Sequence, residues 1–129
     1  MNTETISKEK AFFSYDEAYA TALKYFEGDE LAASTWVKKY AMKDPEGKIV
    51  ENSPEMMHRR MAKEFARIEK NYPAGEDRSA LSDYGQVREE LTEDSIYELF
   101  EGFKYIVPQG SVMTALGNKE MIASLSNCV

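Results

Sequence analysis

Residues 53–72 read SPEMMHRRMAKEFARIEKNY and predict a long amphipathic helix. Ser53 is a suitable N-cap, and Pro54 suits the first helical position because its missing N–H leaves no helical hydrogen bond unmade. The apolar side chains that recur on one side of this helix are Met57, Met61, Phe65, Ile68 and Tyr72. The sequence Pro-Ala-Gly at residues 73–75 is expected to end it. The stretch therefore indicates a mainly α fold.

Two shorter helices are predicted before this one. Ser14 and Glu17 form a capping-box pair ahead of an apolar stripe, and Gly28 follows as a C-terminal cap. Asp29 can then cap the second helix. The stripe residues are Ala18, Tyr19, Ala22, Leu23 and Phe26 in the first helix, and Ala33, Trp36, Val37 and Tyr40 in the second. Because so few residues join them, the two helices are expected to form a helical hairpin or a sharp corner.

Besides the helix of residues 53–72, the chain after residue 41 is expected to contain a turn, a loop and one further helix. Residues 44–47 (DPEG) predict a tight turn, since proline and glycine each suit one of its positions. A short extended piece is expected at residues 48–51, and a solvated loop from residue 76 to about Tyr84. Thr92 is expected to cap the further helix. The apolar face of that helix carries Ile96, Leu99, Phe100 and Phe103.

The last segment predicts a strand, over Met121 to Val129. No other segment reads as a convincing long strand, and a strand needs partners for its backbone groups. We therefore expect those partners to lie in residues outside this sequence, as in the opening part of a larger protein. The organisation predicted is a flexible lead-in over 1–13, a helical region over 14–107, and a small polar loop followed by the strand over 108–129.

Composition excludes several classes of function. The chain has 129 residues, enough for one domain, and 23 acidic against 16 basic residues give a net charge of −7. This balance disfavours binding to the nucleic-acid backbone, which requires a positive surface. No apolar run approaches the length of a membrane span. One histidine and one cysteine exclude a zinc site of the usual Cys/His kind within a single chain.

The charged and aromatic residues have ordinary structural explanations at most positions. His58 is interpreted as a surface or interface histidine, since the neighbouring residues offer no orienting partner or nucleophile. The basic residues between Lys38 and Lys70 and the acidic residues between 76 and 101 are interpreted as solvated surfaces. The side chains expected in the core are Trp36, Tyr40, Met57, Met61 and Phe65.

Cys128 is the position at which the residues alone leave two interpretations open. A lone cysteine in a strand is commonly a small buried hydrophobic residue. However, small residues at 109–111 and 117–118 would let a backbone approach a ligand closely, and Ser126 and Asn127 place polar groups beside the sulfur. The local pattern does not name a reaction.

Five segments together resemble a known enzyme family. They are residues 15–18 (YDEA), 36–41 (WVKKYA), 53–60 (SPEMMHRR), 103–111 (FKYIVPQGS) and 123–129 (ASLSNCV). These residues are similar to the N-terminal part of a ribonucleotide reductase catalytic subunit, and their sequence is most similar to the adenosylcobalamin-dependent, class II branch. The resemblance runs from about residue 13 to the end of the sequence.

The resemblance implies a fold and a chemistry. The fold is the helical N-terminal region of a ten-stranded α/β barrel enzyme, with residues 108–129 forming a substrate-side loop and the first barrel strand. Cys128 would be one of two redox-active thiols that close to a disulfide when a ribonucleotide is reduced to a 2′-deoxyribonucleotide. Ser111, Ser126 and Asn127 would contact the substrate. Because the second thiol, the radical-forming cysteine and the catalytic carboxylate belong to later strands, the isolated chain is expected to be inactive.

The same resemblance implies the setting of the reaction. The activity would be that of a ribonucleoside-diphosphate reductase serving DNA synthesis, although the residues leave di- and triphosphate substrates equally open. Adenosylcobalamin would be the cofactor of the full-length enzyme, with its site outside this chain. The partners implied are the ribonucleotide substrate, the remainder of the barrel, a second copy in a homodimer and a thioredoxin-like reductant. The enzyme would work in the cytoplasm, and neither nucleic acid nor a membrane is expected as a partner. No metal site is expected in this chain.

A second hypothesis stands beside the enzyme. The chain could be a non-catalytic helical interaction module that binds a partner through the acidic surface of residues 76–101. That hypothesis predicts cooperative folding of the isolated chain and a buried, chemically inert Cys128, whereas the first predicts poor autonomous stability.

Overall fold

The structure, a computed structural model, describes residues 11–72 and 78–125. Six α-helices follow one another along these ranges: α1 (Tyr15–Tyr25), α2 (Glu30–Lys39), α3 (Pro54–Glu69), α4 (Asp83–Val87), α5 (Glu93–Phe100) and α6 (Gly110–Ala115). Single turns of 3₁₀-helix occupy Arg78–Ala80 and Glu101–Phe103. The mainly α expectation is therefore confirmed for the described part of the chain.

The predicted helix starts at Ser14, Asp29, Ser53 and Thr92 are confirmed. Each of these side chains accepts a hydrogen bond from a backbone N–H in the first turn of its helix. At α1 the bond is reciprocal, since the Ser14 N–H donates to Glu17 Oε2 at 2.8 Å. Such caps satisfy backbone donors that the helix itself leaves unpaired, which is why they can be recognised locally in a sequence.

The first two helices pack against each other as a helical hairpin, one of the two arrangements predicted. The chain reverses at Glu27 and Gly28, whose φ angles are 54° and 92°, and the Gly28 N–H donates to the Leu23 carbonyl at 2.9 Å. Glycine adopts this left-handed backbone at little cost. The residues that the hairpin buries include Ala18, Ala22, Ala33, Trp36 and Val37.

The third helix lies at the centre of the core. Met57 and Met61 of α3 are fully buried, and the Trp36 Nε1–H of α2 donates to the Met57 sulfur at 3.3 Å. The loop between α2 and α3 makes the predicted turn, in which the Gly47 N–H donates to the Asp44 carbonyl. Isolated antiparallel bridges then join Ile49 to Phe13 and to Lys43.

Two side chains predicted on the apolar side of α3 are less buried than expected. Phe65 is 37% exposed, so its assignment to the core was wrong, and Tyr72 is 67% exposed. The Phe65 ring meets Phe100 of α5 at 6.0 Å between centroids but is not enclosed by it. Tyr72 lies beyond the end of α3, and residues 73–75, expected to end the helix, lie outside the described ranges.

The structure departs from the prediction in the second half of the chain. Residues 78–87 form a 3₁₀ turn and the short helix α4, where a solvated loop was expected up to about Tyr84. Phe103 lies in the turn after α5 rather than on the helix. Residues 110–115, expected to lie in a loop, form α6, and residues 121–125 form no strand. The remaining four residues of the predicted strand, 126–129, lie outside the described residues.

The helices of the described ranges are all too short or too polar to cross a membrane.

Candidate functional site

The four residues predicted to contact substrate or carry redox chemistry fall in two places. Ser126, Asn127 and Cys128 lie outside the described residues, so their roles stay predictions. Ser111 is the second residue of α6 and is half-buried. The described part of the candidate site is therefore α6 together with the elements that hold it.

The start of α6 is packed closely against α2. A Cβ atom built at Gly110 would lie 3.1 Å from Cε1 of the Tyr40 ring, closer than ordinary side-chain contacts allow. The absence of a side chain at Gly110 thus lets α6 approach the end of α2. Within α6 the Thr114 hydroxyl donates to the Gly110 carbonyl at 3.0 Å. These contacts position the turn that contains Ser111.

The end of α6 is held by a buried arginine of α3. The Arg60 guanidinium donates to the backbone carbonyls of Met113 and Leu116, and its other hydrogen bonds go to the Glu51 carboxylate. The side chains of Arg60 and Glu51 are 10% and 3% exposed. Glu51 also accepts from the Met42 N–H at 3.1 Å. One ion pair therefore joins the loop before α3, α3 itself and α6.

The chain that leaves α6 also lies close to α3. Gly117 has a φ of 78°, and a Cβ atom built there would lie 3.1 Å from Arg60 Cγ and 3.3 Å from the Arg60 carbonyl oxygen. Both the left-handed backbone and the short distance favour glycine at this position. The turn at residues 116–117 is thus fixed against Arg60, ahead of residues 121–125.

His58 is buried, so its interpretation as a surface or interface histidine was wrong. Its ring is 0% exposed, stacks on Phe100 at 6.0 Å between centroids and meets Phe103 edge to face at 4.6 Å. Neither ring nitrogen has a hydrogen-bond partner in the described structure. Burial, with a smaller contribution from the positive charge of Arg60, lowers the pKa of His58 from 6.5 to about 4. The imidazole is neutral at pH 7 and serves as packing between α3 and α5.

Two grooves border these elements. One, of about 790 Å³, runs beside the Arg60–Glu51 pair and is lined by basic and acidic side chains together. The other, of about 420 Å³, is apolar and lies between α3, α5 and the segment before α6. The first groove carries both positive and negative side chains, so its charge does not favour one class of ligand. Among the described residues, no group of three or more His, Cys, Asp or Glu side chains could hold a metal ion.

Sequence reasoning missed Arg60, Glu51 and α6. Arg60 follows another arginine on a helix rich in basic residues, so no local signal separates the buried guanidinium from the exposed ones. The pair Gly110 and Gly117, seven residues apart, was noted only as permitting close approach of the backbone. The structure shows that the close approach is to Tyr40 and Arg60.

Comparison with known proteins identifies one family. A family model described as the ribonucleotide reductase all-alpha domain matches residues 26–119, well over half of the chain. The matched range runs from the end of α1 past α6 and includes the Arg60–Glu51 pair. No curated protein and no solved structure matches the chain.

Proposed function

The chain belongs to the ribonucleotide reductase all-alpha domain family, and from that premise we propose that it forms the helical N-terminal part of a reductase catalytic subunit of the class II branch. In this role it contributes substrate contacts and one thiol to an active site that the rest of the reductase completes. The single observation that supports the proposal is the family match over residues 26–119.

The proposed reaction replaces the 2′-hydroxyl of a ribonucleotide by hydrogen. Two electrons are needed, and two thiols supply them by closing to a disulfide while the hydroxyl leaves as water. Cys128 is proposed as one thiol of that pair. The second thiol, the radical-forming cysteine and the catalytic carboxylate are assigned to the rest of the enzyme. A thioredoxin-like dithiol then reduces the disulfide so that the next turnover can begin.

The substrate contacts proposed for this chain are Ser111, Ser126 and Asn127. A hydroxyl and neighbouring backbone amides suit a phosphate group, because hydrogen bonds to an anion are stronger than neutral ones. The described contacts that support the role of Ser111 are those that hold α6 at both ends, at Gly110 and at Leu116. A ribonucleoside diphosphate is the substrate we propose.

Adenosylcobalamin is proposed as the cofactor of the assembled class II enzyme, with its contacts made by the rest of the reductase. No imidazole of this chain is open to such a cofactor, because His58 is the single histidine and its ring is enclosed by Phe100 and Phe103. No step is therefore assigned to this chain through the cofactor. A homodimeric assembly in the cytoplasm completes the proposal.

Reconstitution tests the proposal directly. The barrel polypeptide of a class II reductase, prepared without its own helical region and first barrel strand, is assayed for deoxyribonucleotide formation with and without this chain. Activity that appears only when the chain is added supports the proposal. The chain carrying Cys128→Ala is the matched inactive control, and Leu31→Ala, at an exposed side chain of α2, is the active one. Equal activity with and without the chain would contradict the proposal.

A further inference from the structure

The short helix α6 depends on tertiary contacts. It has six residues, about half the length at which an isolated helix becomes marginally stable in water. Its last carbonyl groups also have no partner within an ideal helix. The Val112 and Ala115 carbonyls are satisfied by the N–H groups of Leu116 and Asn118. The Met113 and Leu116 carbonyls accept instead from Arg60, which is on another helix.

The guanidinium of Arg60 suits this task for geometric reasons. Its donors form a rigid planar fork, so that one edge can bind Glu51 while the remaining N–H groups reach two carbonyl oxygens. Glu51 is itself held by the Met42 N–H. A positive charge at the carboxyl end of a helix is also favourable to the helix dipole. The side chain therefore acts as a C-terminal cap that is supplied from α3 rather than from α6.

We infer that Arg60 is a positioning residue, whose fork to the Met113 and Leu116 carbonyls keeps α6 folded and holds Ser111 in place for the substrate. The part of this inference that concerns substrate rests on the proposed function. The part that concerns α6 does not, and the two parts are tested separately.

Amide hydrogen exchange on the full chain tests the first part. Arg60→Lys keeps a positive charge beside Glu51 but replaces the planar fork by one compact ammonium group. The amides to follow are those of Met113, Leu116 and Asn118, each of which donates to a carbonyl within or next to α6. We expect their exchange to become at least about tenfold faster, because hydrogen bonds to charged groups are worth a tenfold change or more.

Arg67→Lys is the matched control for this experiment. Arg67 lies on the same helix and pairs with Glu64, but its side chain is 60% exposed. The exchange of α6 amides is expected to be unchanged in Arg67→Lys, and that of α1 and α2 amides to be unchanged in both variants. Unchanged exchange of the α6 amides in Arg60→Lys would overturn the inference.

A second variant provides the test if Arg60→Lys does not fold. In the double variant Glu51→Met, Arg60→Met both charges are removed, and replacing a buried ion pair by apolar side chains is often neutral for the fold. The α6 amides are again expected to exchange faster while α1 and α2 remain protected. Retained protection of α6 in this variant would equally overturn the inference.

Steady-state kinetics of the assembled reductase test the second part. Arg60→Lys is expected to raise the KM for the ribonucleoside diphosphate about tenfold and to leave kcat within about twofold, because a loosened α6 weakens binding of the phosphate without touching the reacting thiols. An unchanged KM in an active Arg60→Lys enzyme would overturn the link to substrate alone. No turnover by the wild-type assembly would contradict the proposed function, and hydrogen exchange would still decide whether Arg60 holds α6.

Discussion

Replacing His58 should make the chain less sensitive to acid. The neutral ring is buried between Phe100 and Phe103 with both nitrogens unpaired, and its pKa is lowered from 6.5 to about 4. The unfolded chain therefore binds a proton at this residue between about pH 6.5 and pH 4, whereas the folded chain does not. The free energy of unfolding is therefore not reduced by His58 above pH 6.5, and it falls as the pH drops from 6.5 to about 4.

The size of the effect follows from the shift in pKa. A displacement from 6.5 to about 4 corresponds to about 3 kcal/mol of stability lost between pH 6.5 and pH 4, at about 1.4 kcal/mol for each pKa unit. His58→Leu removes that loss. At pH 7 the variant should be at least as stable as the wild type, since an apolar side chain leaves no buried nitrogen without a partner.

Urea unfolding followed by the fluorescence of Trp36, the single tryptophan, measures the effect from pH 4 to pH 7.5. The quantity to plot is the difference in free energy of unfolding between wild type and His58→Leu. The carboxylates titrate in both proteins, so their contribution cancels in this difference. Met61→Leu, at another fully buried position of α3, is the control and should shift stability equally at every pH. A difference between wild type and His58→Leu that does not change between pH 4 and 6.5 would refute the reasoning.

Three further substitutions test the described contacts through the free energy of urea unfolding. Glu51→Ala should cost about 3 kcal/mol or more, because it leaves the buried Arg60 guanidinium without its counter-charge; a loss below about 1 kcal/mol would contradict the buried pair. Gly117→Ala should cost about 2 kcal/mol through its positive φ and its contact with Arg60, and a neutral effect would argue against that approach. Ser14→Ala should cost about 1 kcal/mol by removing the cap of α1, whereas an unchanged midpoint would show that the capping box contributes nothing.

The elements that could be predicted from sequence are those that local chemistry determines. Ser14, Asp29, Ser53 and Thr92 satisfy backbone groups within three residues of themselves, so the helix starts were visible without knowledge of the fold. The tight turn that ends at Gly47 was visible for the same reason.

The elements that were missed depend on residues distant in sequence. Helix α6 has no side-chain cap and is stabilised by Arg60, more than fifty positions earlier. His58 is buried because Phe100 and Phe103 cover it, and nothing next to it in the sequence indicates that. The sequence could therefore name Ser111 as a candidate substrate contact, which stays a prediction, but it could not indicate the network that holds α6.

We propose Cys128 as half of the electron-donating thiol pair of a ribonucleotide reductase. The most direct measurement counts deoxyribonucleotides formed per active site by the assembled enzyme carrying Cys128→Ala, with a thioredoxin-like reductant in excess. We expect the wild-type assembly to turn over many times and the variant to stop before completing more than about one turnover, because a single remaining thiol cannot form the disulfide that the reductant reopens. Sustained thiol-dependent turnover with alanine at position 128 would contradict it.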